Sequence, residues 1–389
     1  MKKLLAALTA VLLCSGFAFG IEYGGMLDNT ATFKESANKW DKMRINDATT
    51  LSANLRQSFN DDGTFYFATE GFIRYNFATS LGSSDMQHQF IADLSLLKIG
   101  ASIKMGSSSS LILSVGRFLT TDATQIVFAQ PLDGIQAQFR LSRVNIQAMA
   151  GYTGLLNKKT TALMNAEGTI YGSDSSKILY ELSAPYVVAE AAISLPYILF
   201  NQTVALEVMG AFGIGDEAQF GNRMYASLIL NGPLAKSLFY RLSTTFETTD
   251  FSTLANATNF MLAFYPNFKS TQLALSATYA SADNEGGLSK FTGITALGAV
   301  QGATVLGYSS IFKAGLSGSI KPVNNLLLGL GVDAVFNSGD FSYSGLQISG
   351  NAKYQLFSDI GFVLNASTYI AQEVAKSATT ITLKATISF

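Results

Sequence analysis

The last eleven residues, 379–389 (TTITLKATISF), alternate without a break. Ile381, Leu383, Ala385, Ile387 and Phe389 fall on one face of an extended strand, and Thr380, Thr382, Lys384, Thr386 and Ser388 on the other. One face suits an apolar surrounding and the other suits water. Eleven residues at about 3.3 Å each, tilted by about 40°, span an apolar layer roughly 25 Å thick. The same split recurs along the chain. Phe65, Phe67, Ile73 and Tyr75 oppose Glu70 and Arg74; Ile135, Ala137 and Phe139 oppose Gln136, Gln138 and Arg140. Met224, Leu228 and Leu230 oppose Arg223, Tyr225 and Ser227; Leu238, Leu242 and Phe246 oppose Arg241, Ser243 and Glu247; Leu346, Ile348 and Ala352 oppose Gln347, Asn351 and Lys353. Two stretches break the rule: strict alternation puts Lys98 and Arg117 on the apolar side. Either these cations lie beyond the apolar layer or a bulge resets the register.

Connections follow a rhythm. Tight turns rich in Gly, Pro, Asn and Asp are predicted near 60–63 (NDDG), 105–108, 142–143, 195–197, 231–235 (NGPLA), 266–270, 321–325 (KPVNN) and 357–359. Between them come longer connections at about 29–47, 78–88, 120–133, 155–178, 213–221, 249–256, 282–308, 337–342 and 371–378. With 21–28 as the first strand the count is about 18, and 16 is the alternative. The fold class predicted is all-β: a transmembrane antiparallel up-and-down β-barrel, with short turns at one end and long loops at the other. Closure follows from physics, because a sheet edge in lipid leaves backbone groups unpaired.

Composition agrees with this pattern. Apolar residues make up 48% and charged residues 14% of the 389, yet beyond the N-terminus no apolar run reaches the roughly 20 residues of a transmembrane helix. The hydrophobicity is spread by alternation. A net charge of -1 without any basic run argues against a nucleic-acid partner. Residues 1–20 read as a cleaved secretory signal: Lys2 and Lys3, an apolar LLAALTAVLLC, then small Ala18 and Gly20. The mature chain is expected to begin near Ile21, so that 21–389 forms the barrel. Cys14 raises a lipoprotein anchor, but Leu13 stands where that signal normally has a small residue. It is the one cysteine, so cleavage removes all thiol chemistry.

The closing strand and its terminal Phe389, with the turn and loop rhythm, resemble bacterial outer-membrane β-barrels of porin type. That resemblance implies an outer-membrane location, a route through the secretion translocon and the barrel-insertion machinery, and Phe389 as part of the insertion signal. It also implies outer-membrane lipid and small solutes as partners, with a homo-oligomer as an open alternative. The third long loop of such porins folds inward, and its counterpart here supplies Asp122, Gln125 and Asp133 as constriction candidates.

Little material for enzymatic chemistry is present. His88 is the one histidine and is predicted in a loop, with Ser83 and Ser84 merely close in sequence; no metal ligand set or cofactor is expected. Asp61 and Asp62 belong to a turn, and Asp283, Asn284 and Glu285 read as a solvated loop before a weak calcium site. The polar parity gives the expected pore lining: Arg56, Glu70, Arg74, Arg140, Glu190, Glu207, Arg223, Arg241, Glu247, Lys313, Asp333, Lys353 and Lys384. Cations outnumber anions in that set, so the expected function is passive diffusion of small hydrophilic solutes with mild anion preference. Two alternatives stay open. One is a hydrophobic-substrate transporter with a plugged lumen, similar to fatty-acid channels, in which 21–47 forms an N-terminal hatch and the apolar 293–307 (GITALGAVQGATVLG) a plug. The other is a non-conducting surface barrel or adhesin.

Overall fold

The computed structural model describes residues 21–36, 39–171, 178–198, 200–215, 221–249, 251–284, 287–298 and 307–389. The predicted signal segment, Glu285 and residues 299–306 of the apolar loop lie outside the described residues.

Eighteen strands form one sheet: β1 Ile21–Ser36, β2 Arg44–Ser58, β3 Phe65–Ser80, β4 Met86–Lys104, β5 Ser110–Thr121, β6 Ala129–Arg140, β7 Asn145–Tyr152, β8 Tyr186–Leu195, β9 Thr203–Gly213, β10 Arg223–Ala235, β11 Leu238–Thr248, β12 Ala255–Phe264, β13 Gln272–Ala280, β14 Ile311–Val323, β15 Leu326–Asn337, β16 Tyr343–Gln355, β17 Ile360–Ala371 and β18 Ala378–Ser388. Each pairs antiparallel with its sequence neighbours. The ends meet as β1 pairs with β18 from Met26↔Ser388 to Ser36↔Ala378. The sheet is therefore a closed barrel, and 18 rather than 16 is the strand number.

Closure is tight at its last residue. The Gly25 N–H donates to the Phe389 carbonyl at 2.7 Å and the Phe389 N–H returns to the Gly25 carbonyl at 2.9 Å. The Phe389 ring lies over Gly25 so closely that a Cβ there would sit 2.4 Å from it. Both residues share the outer face with Tyr23 and Leu27.

Several expectations are corrected. The first strand runs to Ser36, not Asp28, and the loop shrinks from 29–47 to 37–43. Residues 21–36 are a wall strand between β18 and β2, so they do not form a hatch. The segment looked loop-like because Asn29 and Asp47 place polar groups on the outer face. They satisfy each other there, the Asn29 Nδ2 donating to Asp47 Oδ1 at 3.1 Å and to Thr49 Oγ1 at 3.0 Å. NGPLA is not a turn but the end of β10, with a register shift between Pro233 and Ala235 that accommodates the missing proline donor. KPVNN holds the predicted turn at Asn324 and Asn325, with β14 running on to Val323 through a register shift between Ile320 and Val323.

A bulge decides the case of Lys98. Glu70 pairs with Leu96 but Gly71 with Leu94, leaving Ser95 as the extra residue, its Oγ donating to Glu70 Oε1 at 2.7 Å. After the bulge Leu97 and Ile99 point outward and Lys98 inward. His88 is not in a loop either. It sits on the outer face of β4, its Nδ1 2.7 Å from the Tyr75 hydroxyl.

The buried apolar core lies inside the barrel, which is unusual for a wide one. Phe118, Ile126, Phe128, Leu163, Tyr186, Phe291 and Ile294 pack there, wall residues against residues of long connections.

Gly25→Leu should wedge against the Phe389 ring at an overpacking cost of about 1–3 kcal/mol. The expected result is a lower temperature for loss of the compact band in heat-modifiability gels, partly restored when Phe389→Ala is added.

Candidate functional site

Three connections enter the lumen and stack on one another: 122–128, 161–171 and 287–298. Their backbones bond directly. The Ile294 and Thr295 N–H groups donate to the Val127 carbonyl at 2.8 and 3.0 Å, Met164 N–H to Ile294 at 2.9 Å, and Ala296 N–H to Ala162 at 2.7 Å.

Residues 122–128 are the inward third loop expected from sequence, but its candidate residues play other parts. Asp122 is buried and caps its own loop. Its carboxylate accepts from the N–H groups of Thr124 and Val127 at 3.0 Å and of Phe128 at 2.8 Å, and from the Thr124 hydroxyl. As a buried cap it does not present its charge to the lumen as a constriction residue would. Gln125 is exposed at the loop tip in the left-handed region, φ 65°. Asp133 belongs to β6 and pairs with Arg117, away from the constriction.

The loop tip is gripped at one residue, Ala123, from both sides. Glu207 on β9 accepts the Ala123 N–H with both carboxylate oxygens, at 3.1 and 3.0 Å, while Arg241 on β11 donates to the Ala123 carbonyl at 2.7 Å. Opposite charges thus hold the N–H and the carbonyl of the same residue, in two consecutive peptide units.

Arg223 and Glu247 do the same work for the other loops. Arg223, with 0% exposure, donates to the carbonyls of Gly293 at 2.7 Å and Met164 at 2.5 Å. Glu247 accepts the Thr292 N–H at 2.5 Å and the Tyr225 hydroxyl at 3.3 Å. Glu190 is buried against the wall, where it accepts from Gln147 Nε2 at 3.0 Å. All of these point inward, as alternation requires. The assignment of Glu190, Glu207, Arg223 and Glu247 as solvent-facing pore lining is nevertheless corrected: period-2 reading shows the face but not the loop that comes to cover it.

What remains open lies on the other side of the barrel. Arg56, Glu70, Arg74, Lys313, Asp333 and Lys384 sit on the inner face, and Arg140 and Lys353 near the short turns. Arg74 Nε donates to Thr50 Oγ1 at 3.1 Å, the Arg56 guanidinium stacks 4.3 Å over the Tyr66 ring, and Lys384 pairs with Asp28 at 3.2 Å.

Sequence reading missed Lys34, Arg44 and Lys290. The first two are cross-strand partners at the loop end of β1 and β2. Alternation of Thr30, Thr32 and Lys34 against Ala31 and Phe33 carried the signal, obscured by the loop assignment. Nothing in the pattern marks Lys290.

Between the stacked loops and this wall is a cavity of about 630 Å³. Its wall side presents Thr32, Lys34, Asn46 and Thr380, and its loop side Met164, Ile170, Lys290, Phe291 and Tyr308. It leads toward the loop end into a second cavity of about 730 Å³, with which it shares Lys34 and Ser309. Burial, and then the charge of Asp122, push the Tyr308 phenol above its ordinary pKa, so it stays neutral. The arrangement suits a narrow aqueous passage with a cationic wall on one side and apolar loop surface on the other.

No family model matches the chain, and no curated protein matches it. Solved structures do. OccK5 (OpdH) of Pseudomonas aeruginosa is 12% identical over 95% of this chain and 98% of that one, with a TM-score of 0.65. The outer membrane protein OpdK from the same organism is 9% identical over 95% and 99%, with a TM-score of 0.60. OpdK solved with vanillate gives 10%, 95% and 98%, and 0.59. At such identity the likeness shows the fold: the chain has the architecture of these Pseudomonas barrels.

Hydrogen bonds to charged groups contribute about 1.5–3 kcal/mol each. Glu207→Ala or Arg241→Ala should therefore loosen the 122–128 tip and raise single-channel conductance and open-state noise. The double variant should add less than the sum, since both side chains hold the same residue, Ala123.

Proposed function

We propose that this chain is a channel of the bacterial outer membrane through which small anionic solutes diffuse passively. The observation that carries the reading is the off-centre passage, whose wall bears Lys34 and Arg44 at its loop end and then Arg74 and Arg56 toward the turns, all on the inner faces of β1–β3. Such a stripe attracts anions and offers successive weak sites, the condition for conduction rather than retention. The architecture shared with the outer membrane protein OpdK supports the location.

The facing loop surface adds a second preference. Met164, Ile170 and Phe291 suit a solute with an apolar body behind its charge, and the OpdK structure with vanillate is a barrel of this architecture holding such a compound. On this reading Arg56, Arg74, Lys313, Lys353 and Lys384 act as pore lining, Glu207 and Arg241 fix the constriction, and Phe389 serves insertion. Biogenesis then runs through the secretion translocon and the barrel-insertion machinery.

One observation favours a second reading. Residues 293–298 of the apolar loop pack inside the lumen, Ile294 fully buried, as a plugged transporter of hydrophobic substrates would have them.

Planar-bilayer recording separates the two. The channel should give ohmic steps, with a reversal potential in a potassium chloride gradient that favours chloride. Lys34→Glu should move that potential toward or past zero. A fully folded barrel without steps would sink the channel and leave the plugged transporter.

A further inference from the structure

The wall has a notch. β4 and β5 pair from Lys104↔Ser110 only as far as Leu97↔Arg117. Beyond that level β5 continues to Thr121 paired with β6 alone, and β4 continues back to Met86 paired with β3 alone. Gly116 marks the parting: its φ is +120°, and a Cβ there would lie 2.2 Å from the Leu97 carbonyl. The β5–β6 tip turns into the lumen as the constriction, so strands do not fill the wall at this height.

The base of the 153–185 connection fills it instead. Lys158 N–H donates to Glu181 at 2.7 Å and Ser183 N–H to Leu156 at 3.0 Å, giving an irregular two-stranded stem. Asn157 Nδ2 donates to the Ala92 carbonyl of β4 at 3.2 Å, and the Thr160 hydroxyl to Asp93 at 2.5 Å.

Arg117 ties the parts together. It lies on the outer-face register of Leu113, Val115 and Leu119, yet it is buried. Its guanidinium reaches both Asp133 oxygens at 2.8 Å, Asp93 at 3.2 Å, and the carbonyls of Leu94 at 3.2 Å and Leu155 at 2.9 Å. Strand, neighbouring strand and stem are joined through one side chain.

The stem exposes apolar side chains: Leu155, Ile178, Leu179 and Leu182 are exposed, as are Val115, Leu119 and Ile135 of the adjoining strands, while its Lys158 and Glu181 pair with each other at 3.1 Å. Arg117 stands seven residues from the start of β5 at Ser110, about 18 Å along the barrel at 3.3 Å per residue and a 40° tilt. A hydrocarbon band about 25 Å tall includes that height.

We infer that the stem at 153–160 and 178–183 is a lipid-contacting patch of the wall, its partner the acyl chains of the surrounding leaflet, and that Arg117 is the residue that locks it into the notch. The inference rests on the membrane reading above and goes beyond it, since it moves a segment that would count as an external loop into the hydrocarbon. Continuity of the apolar surface with the outer faces of β5 and β6 selects lipid as the occupant.

The test uses the full chain with Cys14→Ser, single cysteines at Leu155→Cys or Leu182→Cys, and Val115→Cys as the wall control, each carrying an environment-sensitive fluorophore. The protein is placed in phosphatidylcholine vesicles with brominated acyl chains. Stem labels should lose at least half as much fluorescence as the Val115 label and resist aqueous iodide. Quenching of the control but not of the stem, with iodide reaching the stem, overturns the inference. Failure of the control itself overturns the membrane reading instead. Self-quenching between copies without bromide quenching gives the patch to a second chain and likewise overturns the inference. Arg117→Met, or the milder Asp133→Asn if the first does not fold, should shift the stem labels from bromide to iodide quenching. Unchanged lipid quenching in a folded variant overturns the role of Arg117.

Discussion

An unpaired backbone group in hydrocarbon costs several kcal/mol, about the net stability of a small domain when only two or three occur together. Closure of the sheet is how this chain meets that cost, and everything else is fitted around it. The eleven-pair seam between β1 and β18 leaves no terminal edge. Between the upper parts of β4 and β5 strand pairing lapses, and there an amide and a guanidinium occupy the carbonyls of Ala92 and Leu94. A bare arginine on the lipid register would cost about 2–4 kcal/mol near the midplane. With two carboxylates and two carbonyls as acceptors, and a stem across it, Arg117 supplies donors where the sheet has none.

Closing 18 strands creates a second problem, a lumen too wide for side chains to fill. Connections fill part of it. An irregular loop brings its own unpaired N–H and C=O groups into a partly dry interior, and the wall answers with charge of the appropriate sign. Carboxylates Glu207 and Glu247 take loop N–H groups, and guanidiniums Arg223 and Arg241 take loop carbonyls. Asp122 performs the same service within its own loop. Charge-assisted bonds of this kind hold more firmly than neutral ones, which suits loops that must keep a fixed bore.

The barrel was legible in the sequence because its signal is local: period-2 alternation in the wall and turn chemistry at alternate ends. Errors came where local polarity had a long-range explanation. Asn29 and Asp47 look like loop residues until their pairing across β1 and β2 is known, and that pairing moved the strand end from Asp28 to Ser36. Lys98 needed Ser95 as a bulge, which no composition marks. The site was less legible for the same reason. Alternation correctly turned Glu207, Arg223, Arg241 and Glu247 inward, but whether an inward charge meets water or a loop depends on contacts such as Arg223 to Gly293, 70 residues apart.

The distribution of charge follows from these demands. A chain with net charge -1 has no overall reason to favour anions. Yet the inward loops all depart from the β5–β14 arc, so the anchoring charges lie on that arc and are withdrawn from solvent. Three carboxylates, Asp122, Glu207 and Glu247, are buried in this way, and Glu190 is buried beside them. Among the described residues no loop packs onto Arg44, Arg74 and Arg56 of the opposite arc, and with Lys34 they line its inner face. On the proposed channel reading, the polarity of the passage is set by which carboxylates the loops consume, and a loop retracted from Glu207 or Glu247 would return negative charge to the lumen as it widened the bore. That reading couples bore and selectivity through the same hydrogen bonds.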